Sequence, residues 1–294
     1  MTEPDECWNF REGDPITPEL TAMRLLGGGS AYEAYLAFDE ITYAPVVVKV
    51  IRPDQVTDES SLRGLRRETE ALATVNHPVV VRGLRHQLDG ARPHVVLEQI
   101  DGPRLSTLIR RYGPLQEQQY VPLAIEIASA LHYLRHVGWT HLDIKPSNII
   151  MGAPARLIDL SVARPAHAAA ALEIEIGTDA YMAPEQCLPG VRGVPGFASD
   201  VWGLGVTVYQ AVTGSRPFDE GDRQAADRAA RYPQLVDAPY ELSPRTPHEV
   251  AKVVLAALDP LPENRPLPHE FAEALAPVLS RQPKARLGGA LRAR

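Results

Sequence analysis

At 294 residues, with 45% hydrophobic and 23% charged side chains, the chain can bury a core without disulfides or a structural metal, and it is too evenly apolar for a disordered or fibrous polymer. Its 30 basic residues against 37 acidic ones leave a formal charge of -7, so no global attraction draws it to nucleic acid or to an anionic membrane. The two cysteines, Cys7 and Cys187, are far apart with no histidine cluster beside either, which argues against a disulfide framework and a zinc motif and suits a reducing, cytoplasmic setting.

Residues 1–21 are acidic and punctuated by Pro4, Pro15 and Pro18, and read as a leader packed on the domain at most. From Met23 the pattern is strand, glycine turn, strand: MRLLGGGSAYEAYLAF. Pro45 to Ile51 is a β-branched run that predicts a buried strand. Leu62 to Thr74, rich in Arg, Glu, Ala and Leu, predicts a helix that the NHP at 76–78 ends. Val79 to Leu88 and Pro93 to Ile100 predict two more strands joined at Asp89–Gly90. Beyond Gln99–Pro103 the composition changes. Gln118 to Val137 and Ser199 to Thr213 have helical periodicity, and Pro247 to Leu258 and His269 to Leu279 predict shorter amphipathic helices. Val201 to Val212 is the most apolar run, but Gly, Thr, Tyr and Gln interrupt it and it falls short of the roughly 20 residues a membrane span needs. The expectation is therefore an α+β, bilobal chain. A small antiparallel-sheet lobe with one long helix occupies 22–100, a larger, mainly helical lobe occupies 101–280, and a basic tail runs over 281–294.

Gly27, Gly28 and Gly29 between two strands are by themselves an ordinary turn. Lys49 is more informative, because an ammonium inside a hydrophobic strand is costly without an anion. Only four of the 30 basic residues are lysines, and two of them are Lys49 and Lys145. In HLDIKPSNIIM, Asp143 and Asn148 share a polar loop with Lys145 between them, and Asp159 ends the apolar run of LIDLS. A carboxylate can orient and deprotonate a hydroxyl, and a lysine can neutralise a transferring phosphoryl group. An amide oxygen with a second carboxylate can hold a divalent metal between phosphates. Singly, each of these residues is as readily a turn or a helix cap, so the ordered spacing carries the signal.

The ordered segments resemble the eukaryotic-like Ser/Thr protein kinase family over about residues 22–280. LGGGSAYEAYLA is similar to the glycine-rich loop, VVVKV to the strand bearing the ATP lysine, and RRETEALATVNHP to the helix carrying its glutamate partner. VLEQIDG resembles the hinge, HLDIKPSN the catalytic loop, DLS the metal-binding triplet and GTDAYMAPEQ the end of the activation segment. The resemblance implies a nucleotide site of Leu26, Gly27, Gly29, Ala34, Val47, Lys49, Leu97, Glu98 and Ile100, with Leu97 as gatekeeper. It implies that Lys49 contacts the ATP phosphates and pairs with Glu68, and that Asp143 receives the acceptor proton. Lys145 would stabilise the γ-phosphate, Asn148 and Asp159 would ligate Mg²⁺ or Mn²⁺, and Thr178 would brace Asp143 and Lys145. Asp200 would hold backbone N–H groups of the catalytic loop, and Arg265 would pair with Glu185. The implied partners are ATP, a protein substrate with a Ser or Thr acceptor, and an activating protein as a candidate. Scarce lysine amid abundant Ala, Arg, Pro and Gly suggests a high-GC bacterial source.

Three departures qualify the resemblance. The third glycine of G-x-G-x-x-G is Tyr32, with Ala34 at the usual valine, which leads to an expectation of weaker ATP affinity or slower turnover. The arginine before the catalytic aspartate is Leu142, and Val162 to Gly177 contains no Ser, Thr or Tyr. An activation segment ordered without its own phosphate is expected, through packing of Leu172, Ile174 and Ile176 or through a partner. Finally, DLS replaces DFG, so Ser161 removes a flexible glycine. The runner-up reading is a pseudokinase acting as a nucleotide- or protein-binding regulatory module. A small-molecule kinase is disfavoured by GTDAYMAPEQ, which resembles a peptide platform.

Overall fold

The computed structural model describes residues 6–282 and has two lobes, one built on a sheet and one on helices. The small lobe contains β1 (Pro15–Thr17), β2 (Leu20–Gly28), β3 (Tyr32–Asp39) and β4 (Ala44–Ile51), then helix α1 (Glu59–Thr74), β5 (Gly83–Gln87) and β6 (His94–Glu98). Its six strands lie in the order β1-β2-β3-β4-β6-β5, every pair antiparallel. Period-two alternation gives this sheet two apolar faces. Tyr35, Ala37, Val46, Val48 and Val50 point outward, where Trp8 and Phe10 cover them. On the other face Ile51, Val95 and Leu97 meet Leu65 of α1 and Val81. Asp58 caps α1, its carboxylate accepting from the Ser61 backbone N–H at 2.7 Å.

The larger lobe begins with α2 (Leu105–Tyr112) and α3 (Glu117–His136), followed by the two-residue strands β7 (Trp139–Thr140), β8 (Ile149–Ile150), β9 (Arg156–Leu157) and β10 (Arg164–Pro165). β8 pairs with β9 and β7 with β10. Helices α4 (Ala166–Ala170), α5 (Pro184–Cys187), α6 (Phe197–Thr213), α7 (Arg228–Arg231), α8 (His248–Ala257) and α9 (Pro268–Arg281) complete it. α6 is apolar nearly all round and, with the buried face of α3, forms the centre of the core. A Cβ on Gly203 of α6 would lie 3.0 Å from both the Ile144 Cβ and its carbonyl oxygen. The glycine therefore lets the central helix press against the loop that carries Asp143. No helix among the described residues is long and apolar enough to cross a membrane.

Several elements differ from the sequence expectation. The segment ahead of Met23 is not a simple leader: it supplies β1 and two aromatic rings, and β2 starts at Leu20. Residues 1–5 and 283–294 lie outside the described residues, and with them the start of the expected leader and all but the first two residues of the expected 281–294 tail. The strand expected from Val79 is confined to Gly83–Gln87. Val79–Val81 instead pair with the other lobe, Val81 N–H donating to the Leu157 carbonyl at 2.9 Å and Leu157 N–H to the Val79 carbonyl at 2.6 Å. A β-branched run records burial and extension without recording the partner. α2, which follows DGPR, has no counterpart in the expected elements.

Candidate active site

The cleft between the lobes gathers two polar groups. The first is on the small lobe. Lys49 sits in β4 opposite Ala34 of β3, and only 8% of it is exposed. Its ammonium donates to Glu68 Oε1 at 3.0 Å and Oε2 at 2.7 Å, and to Asp159 Oδ1 at 3.0 Å. Glu68 is 1% exposed on the inner face of α1. Burial disfavours the Lys49 charge, yet the two carboxylates outweigh it and keep the ammonium above its ordinary range. Burial likewise raises Asp159, but Lys49 outweighs it and leaves that carboxyl below the usual carboxylate range.

The second group belongs to the large lobe. Asp143 Oδ1 accepts from the Thr178 hydroxyl at 2.7 Å, and Thr178 in turn accepts from Lys145 at 2.6 Å. Lys145 also pairs with Asp143 Oδ2 at 2.6 Å. Asn148 Nδ2 donates to the Asp143 carbonyl and to Asp143 Oδ2, both at 3.0 Å. The two groups meet where Ile158 N–H donates to the Asn148 carbonyl at 2.8 Å, which sets Asp159 beside Asn148.

This arrangement suits a divalent cation. Asn148 spends its amide N–H groups on Asp143, and its Oδ1 has no hydrogen bond among the described residues. On Asp159 the Lys49 ammonium and the Ser161 N–H both take Oδ1, with the Ser161 side chain nearby. Among the described residues no cluster of three or more His, Cys, Asp or Glu could hold an ion by itself. An amide oxygen beside a carboxylate suits a cation that shares its shell with phosphates.

The expected nucleotide contacts are spread along the cleft. Gly27 pairs with Ala34 in the β2–β3 register, and Val47, Leu97 and Ile100 belong to one apolar cluster with Ile158. Leu26 is exposed at the rim, and Gly29 turns its carbonyl outward to Arg52 Nε at 2.7 Å. The Glu98 side chain faces Arg82 and Arg156 rather than the cleft, and its N–H donates to the Arg82 carbonyl at 3.0 Å.

Tyr32 enters the site itself. Its ring lies 4.1 Å from the Lys49 ammonium, and its hydroxyl lies near the Ser161 side chain. The two departures from the glycine pattern thus approach each other beside Lys49 in the cleft, a proximity the sequence does not announce. Burial pushes the Tyr32 hydroxyl above its ordinary range against the pull of Lys49.

Behind the site, Asp200 of α6 accepts from His141 N–H at 2.8 Å and Leu142 N–H at 2.6 Å. Arg265 grips Glu185 at 2.7 and 2.9 Å, and both side chains are 0% exposed. Gln186 was not singled out by sequence reasoning, although it is buried between the catalytic loop and the activation segment. One polar residue in a four-residue helix gives no periodic signal.

Residues 20–292 match the family described as Protein kinase domain. The chain is 33% identical to "Serine/threonine-protein kinase PknB" of Mycobacterium leprae over 256 residues, which covers 82% of this chain and 40% of that protein. It is 27% identical over 266 residues to "Serine/threonine-protein kinase PrkC" of Bacillus subtilis, covering 89% and 40%. It is 30% identical over 255 residues to "Probable serine/threonine-protein kinase CE0033" of Corynebacterium efficiens, covering 82% and 38%. The chain therefore spans about 40% of the length of these bacterial relatives.

Proposed function

The chain belongs to the protein kinase domain family, and from that premise we propose that it transfers the γ-phosphate of ATP to a serine or threonine hydroxyl of a protein. The observation that carries the reading is the convergence of Lys49, Glu68 and Asp159 with Asp143, Lys145, Asn148 and Thr178 around one cleft.

In this reading Glu68 aims Lys49 at the α- and β-phosphates. Asp143, oriented by Thr178 and Asn148, takes the proton of the acceptor hydroxyl, and Lys145 neutralises the γ-phosphoryl charge. Asn148 Oδ1 and the Asp159 carboxylate would hold Mg²⁺ or Mn²⁺. The cation, when bound, offsets charge on the phosphate oxygens. Positioning and electrostatics suffice, so no covalent enzyme intermediate is needed.

The segment 162–177 has no hydroxyl to phosphorylate, and Leu142 stands in place of a phosphate-binding arginine, which supports activation without a loop phosphate. A cytoplasmic setting and an activating protein partner belong to the same proposal. A second reading, a nucleotide-binding regulatory module with little transfer, is favoured by the Tyr32 ring over Lys49.

Transfer of radiolabelled γ-phosphate to the chain and to generic protein acceptors, with Mg²⁺ or Mn²⁺, separates the two beside an Asp143→Asn control. Loss of transfer in the control supports the enzyme. Equal background in both proteins supports the module.

A further inference from the structure

Leu142 occupies an unusual backbone position. It is a non-glycine residue at φ 63°, and its side chain is buried. A left-handed conformation at a bulky residue persists only where surrounding bonds over-determine it. Asp200 supplies one set of restraints by accepting from the N–H groups of His141 and Leu142. The carbonyl of Leu142, which opens the peptide leading to Asp143, is held from the other side by Gln186 Nε2 at 2.9 Å.

The same nitrogen donates to the Ile176 carbonyl at 2.9 Å, and Gln186 Oε1 accepts from Ala183 N–H at 3.1 Å. One side chain, 2% exposed, thereby joins the catalytic loop, the activation segment and the turn that follows Thr178. Gly177 lets these strands of chain pass so closely. At φ +123°, a Cβ there would lie 2.9 Å from the Leu142 carbonyl oxygen and 3.2 Å from Gln186 Nε2. Apolar packing contributes less than expected, because Ile174 is 68% exposed and Leu172 and Ile176 are only partly buried. Polar anchors replace it, with Arg228 paired to Glu175 and Arg231 to Asp179 farther along.

We propose that Gln186 is the positioning residue that registers the activation segment against the catalytic loop, through the Leu142 and Ile176 carbonyls, without a phosphate. The proposal rests on the kinase reading above for its effect on turnover and on geometry alone for its effect on the segment.

Two volume-conserving variants test it. Gln186→Met removes all three side-chain bonds, and Gln186→Glu retains the acceptor for Ala183 while replacing the double donor with an acceptor facing two carbonyl oxygens. Misplacing reacting groups by about an ångström costs of order 10²-fold, so kcat is expected to fall by about 10- to 100-fold and the KM for a protein acceptor to rise. The Kd for ATP should stay within about twofold of the parent. Hydrogen exchange should accelerate at backbone amides 174–178 in both variants.

Parent-like kcat and acceptor KM, or unchanged exchange over 174–178, would overturn the proposal. Loss of ATP binding in both variants would also overturn it, by assigning the residue to folding. If the unaltered chain transfers no phosphate, the kinase reading fails, while the exchange measurement still decides whether Gln186 holds the segment.

Discussion

In the proposed kinase reading, Tyr32 sets how freely phosphates reach Lys49. Its ring faces the ammonium at 4.1 Å, where a cation–π contact in a partly desolvated site is worth about 1 kcal/mol, or about fivefold in an equilibrium. Phosphate oxygens compete for the same ammonium. Tyr32→Gly is accordingly expected to tighten ATP binding by about fivefold, and Tyr32→Phe, which keeps the ring and loses only the hydroxyl, to stay near the parent. Calorimetric titration with a non-hydrolysable ATP analogue reads both; a glycine variant that binds no better refutes the idea. Lys49 and its partner were legible by different routes. The lysine stands out as a charge in an apolar strand, whereas Glu68 is legible only through the resemblance of RRETEALATVNHP to the helix that carries the lysine's partner. Side-chain direction separates it from Glu70, which points to solvent.

At the level of elements, the sheet carries a charge pair that makes its stability depend on pH. Asp39, fully buried at the end of β3, accepts from Arg85 of β5 at 2.7 and 2.6 Å. Arg85 holds its carboxyl well below the usual carboxylate range; burial opposes the shift, and Thr42 and the Ile41 N–H reinforce it. A carboxyl depressed in the folded state contributes stability above the unfolded value of about pH 4 and loses it as pH falls toward the folded one. Urea midpoints measured between about pH 6 and pH 2.5 should drop through this window. Arg85→Met should flatten the acid limb and, by leaving a buried carboxylate unpaired, cost about 3–5 kcal/mol at neutral pH. An unchanged acid limb would count against the pair. The activation segment gives a second test. Phosphatase treatment, checked by intact mass, should leave turnover unchanged, and a loss of turnover on removing phosphate would sink phosphate-free activation.

Across the whole molecule, buried and exposed ion pairs divide the stability unequally. Arg265 and Glu185 lie 80 positions apart, both wholly buried, with Ser199 donating to Glu185 at 2.7 Å and Trp202 beneath the guanidinium. Arg265→Ala strands a carboxylate in the core and is expected to cost about 3–5 kcal/mol, a large share of a typical domain's 5–15. Glu59→Ala, which breaks the exposed pair with Arg63, should cost less than about 0.5 kcal/mol. Thermal and urea unfolding of the two variants provide the comparison, and equal losses would refute it. The bilobal plan was readable because hydrophobic period and motif order agree over long stretches. Contacts made by isolated residues were not. Trp8 and Phe10 sit in an acidic, proline-punctuated stretch with no period, and Gln186 has none either.

The stacked rings of Trp8 and Phe10, with β1 beside them, bear on how the protein is best produced. A shortened version beginning at Leu20 would strip both rings from Tyr35 and its neighbours and leave the backbone groups of Leu20, Thr21 and Ala22 at the start of β2 without their present partners. A bare strand next to a bare apolar sheet is a template for self-association. Such a shortened protein should precipitate on storage or run as aggregates in size-exclusion chromatography, even though every residue of the cleft remained.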